Sequence, residues 1–142
     1  MKIKIVNFIL MFALVFSLSS CAQTTKESKN ATTIGQKENF KKLISPEDLN
    51  AVLGDIQLID VRTPQEFASG RIKGSENINY FDDNFVEQMS KLDKNKILYI
   101  YCRSGNRSGK AASKLKDAGF TKVYDLQGGM KNWNKSNLEI IK

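Results

Sequence analysis

The chain has 142 residues, a net charge of +7 at pH 7, two cysteines and no histidine. The missing histidine excludes a Cys–His catalytic dyad and any metal site built on imidazole. Its lysines are scattered among acidic residues and no basic run has aromatic residues between its charges, so no nucleic-acid partner is predicted. A solvated lysine-rich surface explains the charge, and an anionic membrane surface or a small anionic ligand would also fit it.

Residues 1–20 predict a secretory signal peptide. Lys2 and Lys4 form a basic start, and an almost unbroken apolar segment covers residues 5–18. The Leu-Ser-Ser sequence before Cys21 resembles a bacterial lipobox, in which the cysteine becomes the lipid-modified first residue of the mature protein. The apolar segment is shorter than the roughly 20 residues of a membrane span, which makes a retained anchor the weaker alternative beside plain secretion.

Lipidation at Cys21 predicts a lipid-anchored protein of the bacterial cell envelope, with its domain outside the cytoplasm. Residues 21–39 are then a flexible tether, because they hold too few large apolar side chains to order themselves. Removing residues 1–20 takes away two lysines and no acids, which lowers the net charge from +7 to +5. One folded domain is expected over residues 40–142. Cys102 would be its only free thiol, which excludes an intramolecular disulfide and a zinc–thiolate cluster.

The first half of this domain alternates strand and helix signals. Residues 42–44 predict a short strand, and Ser45-Pro46 follows as the cap and first residue of a helix. Residues 56–61 predict a buried strand, and Thr63-Pro-Gln-Glu66 has the pattern of a capping box that starts a second helix. Residues 76–80 predict a third strand.

The second half repeats the alternation. Residues 84–92 predict a helix, and residues 97–101 predict the clearest strand of the chain. Residues 108–118 predict the clearest helix, with alanines and a leucine on one face and lysines on the other. A last strand at residues 123–126 leads into a closing helix around Trp133.

This order of elements predicts an α/β fold, with a mostly parallel five-stranded sheet and helices on both faces. Ligands of such folds bind beyond the carboxyl ends of the strands. Cys102 follows the strand at residues 97–101 and is therefore expected at that edge.

The turn after this strand has the composition of an anion-binding loop with a nucleophile. Cys102 is followed by Gly105, two arginines and the start of a helix. Successive backbone N–H groups and a helix N-terminus favour a thiolate over a thiol, and the thiolate is the form that attacks. A lowered pKa is therefore predicted for Cys102. The alternative is a cysteine buried as a small apolar residue.

Four motifs in register resemble the signatures of a single rhodanese domain, over about residues 42–136. They are Asp60-Val-Arg62, Gly70-Arg-Ile-Lys-Gly74-Ser-Glu-Asn-Ile78, Cys102-Arg-Ser-Gly-Asn-Arg-Ser108 and Leu126-Gln-Gly-Gly129-Met-Lys-Asn-Trp133. The resemblance implies a sulfurtransferase in which Cys102 takes sulfane sulfur from a small anionic, thiosulfate-type donor. The persulfide then passes its sulfur to cyanide, a cellular thiol or a protein acceptor. Arg71 and Lys73 depart from the family motif, which usually has histidine and proline there.

The resemblance also assigns roles around the nucleophile, with no cofactor or metal. Backbone N–H groups along the loop would hold the charge of the persulfide, and Arg103 or Arg107 would pair with the oxyanion of the donor. Asp60 and Arg62 are expected to form a structural ion pair that braces the loop. The expected active loop consists of Arg103, Ser104, Gly105, Asn106, Arg107 and Ser108.

The length of the loop separates two chemistries. Cys102 and Arg107 form a Cys-x4-Arg pattern, whereas cysteine phosphatases and arsenate-reducing rhodanese-fold enzymes carry Cys-x5-Arg, a wider cradle for a tetrahedral oxyanion. A sulfurtransferase is therefore the first hypothesis. A persulfide relay or partner-binding module without turnover of its own is the second, and a phosphatase or arsenate reductase is the third.

Overall fold

The structure is a computed structural model, and it describes residues 39–142. The predicted signal peptide, the lipidation site Cys21 and nearly all of the predicted tether lie outside the described residues. The strands are β1 (Lys41–Ile44), β2 (Gln57–Asp60), β3 (Glu76–Asn77), β4 (Leu98–Tyr101) and β5 (Val123–Leu126). The helices are α1 (Pro46–Ala51), α2 (Pro64–Ala68), α3 (Phe85–Met89), α4 (Asn106–Asp117) and α5 (Gly129–Lys135).

The strands form one five-stranded sheet in the order β1-β5-β4-β2-β3, and every strand pair is parallel. The predicted sheet is therefore confirmed. β4 lies in the middle, where Ile100 pairs with Ile59 on one side and Asp125 on the other. Because all carboxyl ends meet at one edge, Cys102 leaves the sheet at the centre of that edge.

Side chains of β4 alternate between two apolar cores. Leu98, Ile100 and Cys102 lie in one core, and Tyr99 and Tyr101 lie in the other. The first core is covered by α3 and α4, and the second by α1 and α5. The predicted helices on both faces are thus confirmed, and the indole of Trp133 is fully buried in the second core, as expected for a packing residue.

The two predicted helix starts are formed as expected. The Asp48 N–H donates to the Ser45 hydroxyl at 3.1 Å. Thr63 and Glu66 complete the capping box, each accepting from the backbone of the other, and a proline is the first residue of both helices. A cap of this kind stabilises a protein by about 1 kcal/mol.

Three elements differ from the prediction by two or more residues at one end. β3 ends at Asn77, because the side-chain amide of Asn77 donates to the Arg62 carbonyl, which a longer strand would use as a backbone acceptor. The Tyr80 N–H donates to the Val61 carbonyl instead. α3 ends at Met89, and the turn after it tightens to i→i−3 hydrogen bonds. α4 begins at Asn106, two residues earlier than predicted.

Within residues 39–142, no helix has the length and hydropathy needed to cross a bilayer.

Candidate active site

The cysteine loop, residues 102–108, follows the central strand β4 and includes the first residues of the helix α4. Gly105 adopts a left-handed conformation with φ of +90°, which turns the loop back over its own start. The Gly105 N–H consequently donates to Cys102 Sγ at 3.1 Å. The Ser108 hydroxyl, one turn into α4, lies 3.5 Å from the same sulfur.

These donors set the ionisation of Cys102, whose side chain is buried. Burial by itself raises the pKa of the thiol, because it disfavours the charged form. Hydrogen bonds from the Ser108 hydroxyl and from the backbone of Ser108, Ser104 and Gly105 outweigh burial, and the pKa of Cys102 lies below its ordinary value. A cysteine that serves only as an apolar packing residue has no such set of donors, so the loop favours a reactive thiolate.

The first turn of α5 holds the start of the loop from behind. The Met130 N–H donates to the Cys102 carbonyl at 2.9 Å, and the Lys131 N–H donates to the Arg103 carbonyl at 3.0 Å. Gly129 makes this approach possible, because a Cβ at that position would lie 2.3 Å from the Cys102 carbonyl oxygen. The Gly128-Gly129 sequence at the start of α5 therefore allows close contact between the cysteine loop and α5.

The two arginines of the loop have different surroundings. The Arg107 guanidinium binds Glu66 through both terminal nitrogens, at 2.6 and 2.7 Å, and lies 5.7 Å from the ring centre of Phe81. Arg103 is exposed, and within residues 39–142 its guanidinium has no hydrogen-bond or ion-pair partner. Of the two arginines expected to bind an anionic donor, Arg103 is therefore the one whose charge is available.

Glu66 is a site residue that sequence reasoning identified only as a helix cap. Its carboxylate accepts hydrogen bonds from the N–H and hydroxyl of Thr63, at 3.2 and 3.1 Å, as well as from Arg107. The hydrogen bond from Arg107 lowers the pKa of Glu66 to about 2, against the opposing effect of burial. The partners are 41 positions apart in sequence, and no local pattern in the sequence links them.

Asp60 and Arg62 form the expected ion pair. Asp60 is fully buried, and the Arg62 Nε and Nη2 atoms bind its carboxylate at 2.6 to 2.9 Å. The remaining hydrogen bond of Arg62 Nη2 runs to the Gly70 carbonyl at 2.7 Å. The pair therefore anchors the segment after α2, and no hydrogen bond in residues 39–142 joins it directly to the cysteine loop.

The side chains of the other predicted site residues make no hydrogen bond to the Cys102 sulfur in the described residues. Ser104 and Asn106 are exposed, and their side chains make no hydrogen bond within the described part of the chain. Arg71, which replaces the usual histidine of the family motif, stacks over Phe67 at 4.9 Å. Its backbone pairs with Ile141 near the C-terminus. This departure is accommodated by contacts outside the cysteine loop.

A polar cavity of about 290 Å³ opens beside the cysteine loop. Arg103 and Lys131 bring positive charge to its wall, and Glu66 brings a carboxylate. A space of this size and polarity suits a small anion. The cavity is lined by Arg62, Glu66, Ser69, Arg103, Met130, Lys131 and Asn134.

No group of three or more histidine, cysteine, aspartate or glutamate side chains in residues 39–142 is arranged to hold a metal ion.

Comparisons with known proteins agree with this architecture. Thiosulfate sulfurtransferase 16, chloroplastic, from Arabidopsis thaliana is 36% identical over 97 residues, which cover 61% of this chain and 81% of that protein. A sulfurtransferase from Allochromatium vinosum is 36% identical over 87 residues, covering 61% of this chain and 79% of that protein. The crystal structure of a rhodanese-like domain protein from Staphylococcus aureus matches with a TM-score of 0.60 at 34% identity, covering 71% of this chain and 99% of that one.

The sequence profile of the rhodanese-like domain matches residues 45–136. This range contains β2 to β5, the cysteine loop and α5, and so includes every residue described around Cys102. With its parallel five-stranded sheet, its cysteine loop and these matches, the chain belongs to the rhodanese-like domain family.

Proposed function

We propose that this protein is a sulfurtransferase that carries sulfane sulfur as a persulfide on Cys102. Family membership and sulfurtransferase relatives at 36% identity support sulfur transfer in general. The observation that carries the finer proposal is the set of donors on the buried Cys102 sulfur, from the Ser108 hydroxyl and the loop N–H groups. Such donors stabilise a thiolate before the reaction and a persulfide anion after it.

In the first half-reaction, the Cys102 thiolate attacks the outer sulfur of a thiosulfate-type donor. The S–S bond of the donor breaks, a Sγ–S bond forms, and sulfite leaves with the electron pair of the broken bond. One negative charge stays on the new terminal sulfur of the enzyme, within reach of the loop donors. Arg103 is proposed to pair with the oxyanion of the donor and to bring it to the loop.

In the second half-reaction, cyanide or a thiolate attacks the terminal sulfur. The Sγ–S bond breaks, the acceptor leaves as thiocyanate or as a persulfide, and the Cys102 thiolate is restored. No proton or external oxidant is needed, which agrees with a site that has hydrogen-bond donors and no histidine. The hydrogen bonds from α5 to the loop backbone would keep the donors aimed at the sulfur in both steps.

The sulfur relay differs from this enzyme only in its acceptor, which would be a partner protein. A phosphatase or arsenate reductase is not proposed, because Arg107, the cation that such a loop directs at its oxyanion, is held by Glu66 instead.

Thiocyanate formation from thiosulfate and cyanide tests the proposal. The full chain should turn over, and Cys102→Ser should abolish turnover without changing the circular dichroism spectrum. Ser113→Ala is a matched control, because this exposed hydroxyl on α4 lies outside the cysteine loop and makes no hydrogen bond in the described residues. Turnover by Cys102→Ser would refute the assignment. Persulfide formation without turnover to cyanide or small thiols would favour the relay instead.

We further propose that a lipid on Cys21 anchors the domain to the cell envelope, with its site outside the cytoplasm. The proposal rests on the sequence of residues 1–21. Cys21→Ser in the full chain should move the protein from the membrane fraction to the soluble fraction and should leave thiocyanate formation unchanged. A Cys21→Ser protein that stays in the membrane fraction would overturn this localisation.

A further inference from the structure

Glu66 removes one of the two positive charges that the cysteine loop offers to an anion. Its carboxylate and the Arg107 guanidinium form two parallel charge-assisted hydrogen bonds, the strongest geometry available to this pair. The hydrogen bond with Glu66 raises the pKa of Arg107 against the opposing effect of burial, and a weaker electrostatic interaction with Cys102 adds to the rise. One of the two loop cations is therefore already neutralised by a fixed carboxylate.

Glu66 is not a mobile surface side chain that an incoming anion could simply displace. The capping box holds it, because the N–H and the hydroxyl of Thr63 both donate to Oε2, the oxygen that also accepts from Arg107 Nη1. The pKa of about 2 shows how strongly these surroundings favour the charged form. An anion that recruited Arg107 would have to break these bonds and leave a carboxylate without its partner.

A donor that approaches Cys102 from the polar cavity beside the cysteine loop would meet the same carboxylate. Glu66 lines the cavity beside the loop together with Arg103 and Lys131. A donor entering that cavity is attracted by two cations and repelled by one anion. The Glu66 carboxylate repels every negative charge on the donor, so the repulsion energy grows with the charge of the donor.

We propose that Glu66 is a specificity-determining residue that favours singly charged sulfane-sulfur donors over doubly charged ones. The proposal rests on the sulfurtransferase cycle above and names its donor class: organic thiosulfonates and alkyl persulfides rather than inorganic thiosulfate. A thiosulfonate anion gives its outer sulfur to the Cys102 thiolate, its S–S bond breaks, and a sulfinate leaves with the electron pair. Thiosulfate gives the same persulfide and releases sulfite, so the two donors differ in charge and not in the bond that reacts.

Glu66→Gln tests the proposal directly. Glutamine keeps the capping box, because its side-chain oxygen can still accept from the Thr63 backbone, but it carries no charge. Removing one charge at about 6 Å in a solvated site should raise kcat/KM about threefold for a singly charged donor and about tenfold for a doubly charged one. The quantity to measure is the ratio of kcat/KM for thiosulfate to that for methanethiosulfonate, with cyanide as the common acceptor.

Glu87→Gln is the matched control for total charge. Glu87, on α3, is also an ion-paired glutamate, with its carboxylate 3.6 Å from the Lys91 ammonium, and both side chains are largely exposed. This variant should leave the donor ratio at its wild-type value. If Glu66 only held the loop in place, its replacement would change kcat/KM for both donors by the same factor. The ratio of the two kcat/KM values would then stay at its wild-type value.

The outcomes separate the inference from the proposed function. A rise of about threefold in the ratio for E66Q, absent in E87Q, is the expected result. An unchanged or lower ratio, with sulfur still transferred from both donors, would overturn the inference alone. If neither donor loads sulfur onto wild-type Cys102, the sulfurtransferase cycle fails and the inference fails with it.

Discussion

The closest backbone approach in the site makes Gly129→Ala a sharp test of how the cysteine loop is held. Gly129 has a φ of +58°, and a Cβ there would lie 2.3 Å from the Cys102 carbonyl oxygen and 2.8 Å from the Arg103 carbonyl carbon. Both neighbours are backbone atoms, so no side-chain rotation can relieve the overlap. The loop or α5 would have to move, and Cys102 would move with it.

The expected loss of stability has two parts. An alanine in the left-handed region costs about 1–2 kcal/mol. Overpacking against a fixed backbone adds about 1–3 kcal/mol. Gly129→Ala should therefore lower the free energy of unfolding by about 2–5 kcal/mol in total.

Gly74→Ala separates these two parts. Gly74 has a φ of +80°, and no heavy atom lies within 4 Å of the position that its Cβ would take. It should therefore show only the conformational cost of about 1–2 kcal/mol. Both variants lose the same backbone freedom in the unfolded chain, so that contribution cancels in the comparison.

Urea unfolding of both variants, with sulfur loading of Cys102 measured alongside, is the assay. Gly129→Ala should be clearly less stable than Gly74→Ala and should load sulfur more slowly, because the displaced loop misaligns the donors on Sγ. Equal stability of the two variants, with wild-type loading by Gly129→Ala, would refute the claim that α5 fixes the loop.

Three further predictions concern charges in and near the site. Ser108→Ala removes the hydroxyl donor from Cys102 and should raise its pKa, which shifts the pH profile of iodoacetamide alkylation upward; an unchanged profile would contradict the assigned hydrogen bond. Asp60→Asn leaves the buried Arg62 without its counter-ion and should lower the free energy of unfolding in urea by about 3–5 kcal/mol. A loss under about 1 kcal/mol would contradict the role of this ion pair in stability. Folding lowers the pKa of Glu66 from 4.5 to about 2. The charged carboxylate therefore contributes its full stabilisation above pH 4.5, and this stabilisation is lost as the pH falls from 4.5 through about 2. The stability difference between wild type and Glu66→Gln should therefore narrow from about pH 5 to about pH 3, and a constant difference would contradict the ion pair.

The fold could be predicted from the sequence because its signals are local. Short apolar runs mark the strands, and capped helices follow two of them, β1 and β2. Alternation along β4 assigns its side chains to the two cores. β3 was predicted too long, since only the structure shows that the Asn77 side chain replaces a backbone partner. Such a competition between a side chain and a ladder has no periodicity that a sequence could reveal.

The nucleophile and its loop could also be predicted, because they are contiguous in sequence. The partner of Arg107 could not be predicted, because Glu66 belongs to another helix and its presence was already explained by the capping box. Sequence reasoning therefore treated Arg103 and Arg107 as equivalent. The structure shows that one is neutralised and the other is free of partners within the described residues, a difference that only the tertiary fold creates.

The measurement that tests the central claim most directly is the intact mass of the full chain, purified in mild detergent, after brief exposure to excess thiosulfate. The wild type should gain one sulfur atom and lose it when cyanide is added, and Cys102→Ser should gain none. A wild-type mass that changes neither with thiosulfate nor with methanethiosulfonate, or a gain that persists in Cys102→Ser, would contradict a persulfide cycle on Cys102.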